Sequence, residues 1–197
     1  MSDAPAVTGR IGITLLCCYL LAVTARIGGC YAPDPARRDD RIGHGPVIGD
    51  EFPDFRLREA SGRTITRDDL RGAPAVIVVA PSLDWSPATK AELSDLADAL
   101  DGRHDLRVAV LMTAAQATPR SLRFGRDHDF PFYYLIDDDG LIEQLGVAGP
   151  APDGTAAALP ATFVLDAGGR IRLRDVRQNP RSWLAPEAVV AALVEPH

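Results

Sequence analysis

From Val47 onward the chain alternates between two hydrophobic periods. Pro74 to Ala80, P-A-V-I-V-V-A, is a continuous β-branched run of the kind buried on both faces of a sheet, and Leu106 to Met112 is a second such run. Between them, Lys90 to Leu100 sets Leu93, Leu96, Ala97 and Leu100 at helical spacing, with Asp and Glu opposite. Upstream, G-D-E-F-P-D-F-R-L-R-E-A-S-G-R-T-I-T carries two short alternating runs about Ser61-Gly62, which predicts a hairpin. Asp68-Asp69-Leu70-Arg71-Gly72 predicts one helical turn stopped by glycine. Downstream, Thr118-Pro119 opens a helix that runs to about His128, with Leu122 and Phe124 as its apolar contribution. Phe132 to Ile136 reads as a strand, Asp137-Asp138-Asp139-Gly140 as a turn, and a short helix ends near Gly146. Ala161 to Leu165 and Ile171 to Val176 are strands about the turn Ala167-Gly168-Gly169-Arg170, and Pro186 to Val194 is a closing helix. This order predicts an α/β domain over residues 47–197, a central mixed sheet flanked by helices with an N-terminal β-hairpin extension.

The first forty-six residues follow a different pattern. Ile11 to Ala25 is an uncharged apolar block between Arg10 and Arg26, about as long as the apolar region of a signal peptide and short of the roughly 20 residues that span a bilayer. Continued through Arg26 into Ile27 it reaches about 22 residues, enough to span if the arginine snorkels. Ile27-Gly28-Gly29-Cys30 resembles a bacterial lipobox, which makes Cys30 a candidate lipidation site, while Val23-Thr24-Ala25 offers a plain cleavage site instead. Residues 31–46, Y-A-P-D-P-A-R-R-D-D-R-I-G-H-G-P, have the proline, glycine and charge of a flexible linker. Residues 1–30 are therefore expected to be a signal or lipoprotein leader or a membrane anchor, placing the domain in the cell envelope outside the cytoplasm.

Composition narrows the chemistry. A net charge of −6 and the lack of a basic stripe argue against nucleic acid as a partner. Cys17, Cys18 and Cys30 all precede Tyr31, which excludes a disulfide framework or thiolate zinc site in the domain. His44, His104, His128 and His197 lack metal-ligand spacing, and Asp137 to Gly140 lacks the alternation and distal Glu of a calcium loop, so no metal or other cofactor is expected. Arg170, Arg172 and Arg174 alternate on one strand face, which reads as an exposed edge.

The segment L-D-W-S-P-A-T-K-A-E-L, Leu83 to Leu93, carries the main chemical question. Trp85 to Leu93 resembles the W-C-P-x-C-x-x-E-[LM] segment of membrane-tethered thiol-disulfide oxidoreductases of the TlpA and ResA kind, with hydroxyls at both cysteine positions. It also resembles the AhpC/TSA peroxiredoxin segment, in which a Thr or Ser stands three residues before the peroxidatic cysteine. Ser86 matches that hydroxyl, Thr89 stands at the cysteine position, and Pro81 lies one residue out of register with the peroxiredoxin proline. Gly49 to Phe55 with Leu57, Leu70-Arg71-Gly72, and Leu159-Pro160-Ala161-Thr162-Phe163-Val164-Leu165-Asp166 resemble further markers of this redoxin superfamily, in order, over residues 47–197. The resemblance implies a thioredoxin-like fold in which Pro160 is a cis-proline facing the loop.

A helix N-terminus lowers a cysteine pKa far enough to give a thiolate near neutral pH, but a hydroxyl starts too high for that and forms no disulfide. Peroxide reduction and disulfide exchange are therefore not expected of residues 31–197 by themselves. The same residues have a structural reading: Ser86 as an N-cap before Pro87 at the first helical position, and Thr89-x-x-Glu92 as a capping box. For Ser86 or Thr89 to act as a hydrolytic nucleophile a positioned base is needed, and the sequence identifies none. Trp85 reads equally as core packing or as a recognition side chain, and the small residues from Gly149 to Leu159 as a mobile loop beside the site. The expected function is a non-catalytic module that binds extended polypeptide or a partner protein at Trp85, Pro87 and Pro160, with the membrane contacted through the leader. The alternative is a thiol-disulfide oxidoreductase or peroxiredoxin-like antioxidant enzyme that uses Cys30 or a partner's cysteine.

Overall fold

A computed structural model of the chain describes residues 45–84, 86–127, 132–150, 156–179 and 181–194. The leader, the linker up to residue 44, Cys30 and Trp85 lie outside the described residues. No helix among the described residues is long and apolar enough to cross a membrane.

The hairpin forms as the alternation predicts. Strands β1 (Arg56–Glu59) and β2 (Thr64–Thr66) pair antiparallel with Leu57 opposite Ile65, about a turn in which Gly62 takes φ 92°. Thr66 then caps α1 (Arg67–Leu70): its N–H and its hydroxyl both donate to the Asp69 carboxylate at 2.8 Å. The apolar runs become β3 (Ala75–Val79), β4 (Arg107–Thr113), β5 (Tyr133–Asp137) and β8 (Ala161–Leu165), and the last forms a hairpin with β9 (Ile171–Val176). Helices α2 (Pro87–Ala99), α3 (Pro119–Asp127) and α4 (Leu141–Gln144) lie in the connections, and α5 (Pro186–Val194) follows β9. The seven-stranded sheet has the order β2-β1-β5-β4-β3-β8-β9; β3, β4 and β5 run parallel, and β8 is antiparallel to both neighbours.

Alternation along the central strands builds a core on each face. Ala75, Ile77 and Val79 of β3 join Leu111, Leu135 and Phe163 beneath α1 and α4, while Val76 and Val78 join Val110, Met112 and Val164 beneath α2, α3 and α5. Leu93 and Leu96 of α2, Phe124 of α3, and Val189 and Leu193 of α5 close the second face.

Three expectations are corrected. The segment from Gly149 to Leu159 is not a bare loop: β6 (Ala148–Pro150) pairs antiparallel with β7 (Ala156–Ala158) as a separate ribbon. Its small residues fit the close packing there, since a Cβ on Gly149 would lie 2.8 Å from Leu159 Cδ2. The Leu159–Pro160 peptide is trans. The chain runs extended through that point because Leu159 N–H donates to Val147 O and Pro160 O accepts from Arg177 N–H, both at 2.8 Å. The arginine strand β9 is the edge of the sheet and one arm of a hairpin, as expected, but of the three arginines only Arg170 is exposed. Arg174 is half-buried, its guanidinium donates to Leu145 O at 3.4 Å, and desolvation lowers its pKa. The acidic turn, by contrast, has the role given to it: the Asp137 carboxylate accepts from the N–H groups of Asp139, Leu141 and Ile142 and so caps α4.

Candidate functional site

The loop from Ala80 to Ser86 joins β3 to α2. Ser86 is the N-cap, with φ −95° and ψ 99°, and its Oγ accepts from Thr89 N–H at 3.2 Å. Pro87 occupies the first helical position, where its fixed φ is already helical and its missing N–H costs nothing. Thr89 lies one turn inside the helix, and its hydroxyl donates to Ser86 Oγ at 2.9 Å. Both hydroxyl residues are withdrawn from solvent, Ser86 at 3% exposure and Thr89 at 0%. The expected capping box of Thr89 and Glu92 is therefore not made: the helix begins three residues earlier, and Thr89 is the residue whose N–H is capped.

The adjacent loop, from β4 to α3, repeats this chemistry. Ser86-Pro87-Ala88-Thr89 is matched by Thr118-Pro119-Arg120-Ser121, and there Thr118 Oγ1 accepts from Ser121 N–H at 3.1 Å with Ser121 Oγ also at 3.1 Å. Asp84 joins the two helix starts. Thr118 Oγ1 donates to Asp84 Oδ2 at 2.8 Å, and Arg120 Nε lies 3.2 Å from Asp84 Oδ1. Because the Thr118 hydroxyl has a single proton and gives it to Asp84, Ser121 must donate to Thr118 rather than the reverse. Asp84 is held from its own side by a bond from its N–H to Ser82 Oγ at 3.0 Å, and Lys90 Nζ reaches its carbonyl at 3.4 Å. An open depression of about 660 Å³ lies over this junction, lined by Asp84, Pro87, Lys90 and Arg120.

Chemically, the buried hydroxyls are a poor match to nucleophilic catalysis. A general base must lie within roughly 2.6–3.2 Å of the proton it removes. The Thr89 hydroxyl instead meets Ser86 Oγ, and among the described residues neither hydroxyl is bonded to a titratable side chain. Replacing Ser86 by alanine should cost about 1–2 kcal/mol, since it removes the cap and leaves the buried Thr89 hydroxyl without an acceptor. Urea denaturation checks this, and a loss under about 0.5 kcal/mol would mean that α2 starts equally well without the pair.

Of the residues singled out from sequence, Ser86, Thr89 and Pro87 come together at the start of α2. Pro87 is exposed and lines the depression, whereas Pro160 is buried. Asp84, Lys90 and Arg120 were not anticipated. The repeated hydroxyl-Pro-x-hydroxyl motif could have pointed to Thr118, but nothing local marks a contact across 34 residues between Asp84 and Thr118.

Comparison with known proteins adds to this geometry. A model of the AhpC/TSA family matches residues 48–174. Alkyl hydroperoxide reductase E of Mycobacterium tuberculosis is 28% identical over 152 residues, covering 74% of this chain and 98% of that protein. Peroxiredoxin Bcp of Bacillus subtilis is 26% identical over 92 residues, 47% of this chain, and the match spans only 58% of the Bacillus protein. The structure of a thiol peroxidase from Chromobacterium violaceum superposes with a TM-score of 0.67 at 21% identity, covering 77% of this chain and 88% of that one, which is a likeness of fold.

Proposed function

Since the chain belongs to the AhpC/TSA family and has its thioredoxin-like fold, we propose that its domain has lost thiol chemistry and serves as a protein-binding module of the cell envelope, tethered through residues 1–46. The observation that carries this reading is the pair Ser86 and Thr89. Thr89 stands where the AhpC/TSA loop carries its peroxidatic sulfur and Ser86 where that loop keeps a hydroxyl, both stand at cysteines of the TlpA-like loop, they are buried against each other, and no cysteine follows Cys30 in the chain. A helix N-terminus favours negative charge by about 1–2 kcal/mol at most, a small fraction of what ionising an alcohol at neutral pH requires. The elements around the pair are all present, so exposed Pro87 and the depression beside it are the surface left for binding.

The test is a paired assay of peroxide consumption and disulfide reduction on the full chain, beside a Ser86→Cys/Thr89→Cys variant and a variant with Cys17, Cys18 and Cys30 changed to alanine. An inert native chain and a redox-active double-cysteine variant are expected. Turnover that survives in the alanine variant would overturn the reading.

The names of the relatives, a peroxiredoxin and an alkyl hydroperoxide reductase, favour a second reading, an antioxidant enzyme supplied with a thiol by Cys30 or by a partner. Turnover in the native chain that vanishes in the alanine variant would select Cys30, and a Cys30 blocked to thiol-trapping reagents would exclude it.

A further inference from the structure

We infer that the depression between the starts of α2 and α3 receives carboxylate side chains of an acidic polypeptide, in the place that Asp84 now fills. This rests on the protein-binding reading above and names the chemistry of the partner.

Asp84 shows what the site is shaped to hold. Thr118 Oγ1 donates to its Oδ2 at 2.8 Å, while its Oδ1 has no hydrogen bond and meets Arg120 Nε only as an ion pair at 3.2 Å, so the place is already occupied by a carboxylate beside a guanidinium. Backbone groups add little. Prolines at the first position of both helices supply no N–H, and the N–H groups of Thr89 and Ser121 are taken by Ser86 and Thr118. Recognition therefore falls to the side chains.

The charge balance there favours an incoming anion. Asp84 and Arg120 offset one another, but Lys90 has no carboxylate partner among the described residues: its ammonium makes a long contact to the Asp84 carbonyl at 3.4 Å and stands 5.4 Å from the centre of the Phe124 ring. Arg123, exposed and three residues after Arg120, adds a second cation on the same side of α3. This excess is local, in a chain of net charge −6.

Exchange of one carboxylate for another is easy at this position. The Arg120 side chain is 71% exposed and its contact to Asp84 Oδ1 is not a hydrogen bond, so their pair is held only weakly. A free carboxylate would gain nothing beyond that exchange. A chain carrying several acidic side chains would meet Lys90, Arg120 and Arg123 together, and the depression of about 660 Å³ is open enough to admit more than one of them.

The experiment measures binding of fluorescein-labelled hexaglutamate and hexalysine to the full chain by fluorescence anisotropy at low and high salt. Hexaglutamate is expected to bind in a salt-sensitive way, and hexalysine not at all. Lys90→Gln/Arg120→Gln should weaken hexaglutamate by about tenfold. Asp84→Asn, which removes the internal competitor, should tighten it severalfold. Equal affinity for the two peptides, or a double variant that binds hexaglutamate as well as the native chain, would overturn the inference. So would full competition by acetate at matched carboxylate concentration, which would make this a small-anion site. Far-UV circular dichroism confirms that each variant is folded, and Lys90→Gln alone, a change on the helix surface, repeats the weakening in milder form. The redox assay is read separately: an inert chain that ignores hexaglutamate loses this inference and keeps the binding-module reading.

Discussion

Replacing Phe163 by alanine is expected to remove about 3–5 kcal/mol of stability, the usual range for deleting a buried aromatic side chain. Phe163 is central in β8, where it pairs with Ile77 of β3 on one side and Arg174 of β9 on the other, and it has no exposed surface. Its ring meets Phe52 edge to face, with centroids 5.7 Å apart at 78°, and Phe52 in turn meets Phe55 at 6.2 Å and 87°. This stack joins the segment before the N-terminal hairpin to the centre of the sheet, so the truncation opens a cavity and loosens the cover over it. A loss of that size is a large part of the 5–15 kcal/mol that typically holds a domain folded. Urea unfolding of the native and variant chains gives the difference. A loss below about 1 kcal/mol would show that the stack packs outside the cooperative core.

The strands that make this core were legible because they are buried on both faces. Ala75 to Val79 and Ala161 to Leu165 are buried at every position, and runs with no charged member, Thr162 being their one polar residue, leave little alternative to central strands. Helix α5 was legible to the residue, since Pro186 fixes its start. Helix α2 was legible from its cap and not from its period: Ser86 before Pro87 marks its start, whereas apolar spacing begins only at Lys90, and capping depends on hydroxyl geometry rather than hydrophobic period. The Thr89–Glu92 box, read from the same hydroxyls, was the part that failed. The β6–β7 ribbon was hidden for a different reason: alanine and glycine carry little strand preference, and their pairing is decided by close packing against Leu159.

The candidate site was legible only in its first half. The loop residues Ser86, Pro87 and Thr89 stood out because their local motif resembles redoxin loops that carry cysteine. Their partners could not be read in this way, because Asp84 meets Thr118 and Arg120 only once β3 and β4 are parallel neighbours and the loops after them lie side by side. The cis peptide expected at Pro160 failed for a related reason. The resemblance supplied its place in the sequence, while its burial and trans peptide follow from the backbone bonds of Leu159 and Arg177 on either side.

One turn after Thr89, Glu92 gives α2 a pH dependence that a glutamine should abolish. Its carboxyl is half-buried, and its pKa is pushed from an ordinary 4.5 to about 7, first by burial and then by Asp95 on the same helix; Asp175 of β9 and Glu187 of α5 add smaller repulsion. Arg177 opposes the rise, but its guanidinium is drawn to Asp175 at 2.5 Å. Between pH 4.5 and about 7 the folded protein keeps a proton on Glu92 that the unfolded chain has released, so stability falls as pH rises through that window and stays lower above it. Taken at face value the shift is worth about 3 kcal/mol, and water screening of a half-exposed group reduces it to about 1–2 kcal/mol. Glu92→Gln keeps the shape of the side chain and carries no proton to lose. The variant should therefore match the native chain near pH 4.5 and exceed it by about 1–2 kcal/mol at pH 8, where Glu92 would otherwise be charged against its neighbours. Urea unfolding at pH 4.5, 6 and 8 resolves this, and parallel profiles for the two chains would mean that Glu92 ionises in the fold as freely as it does outside it.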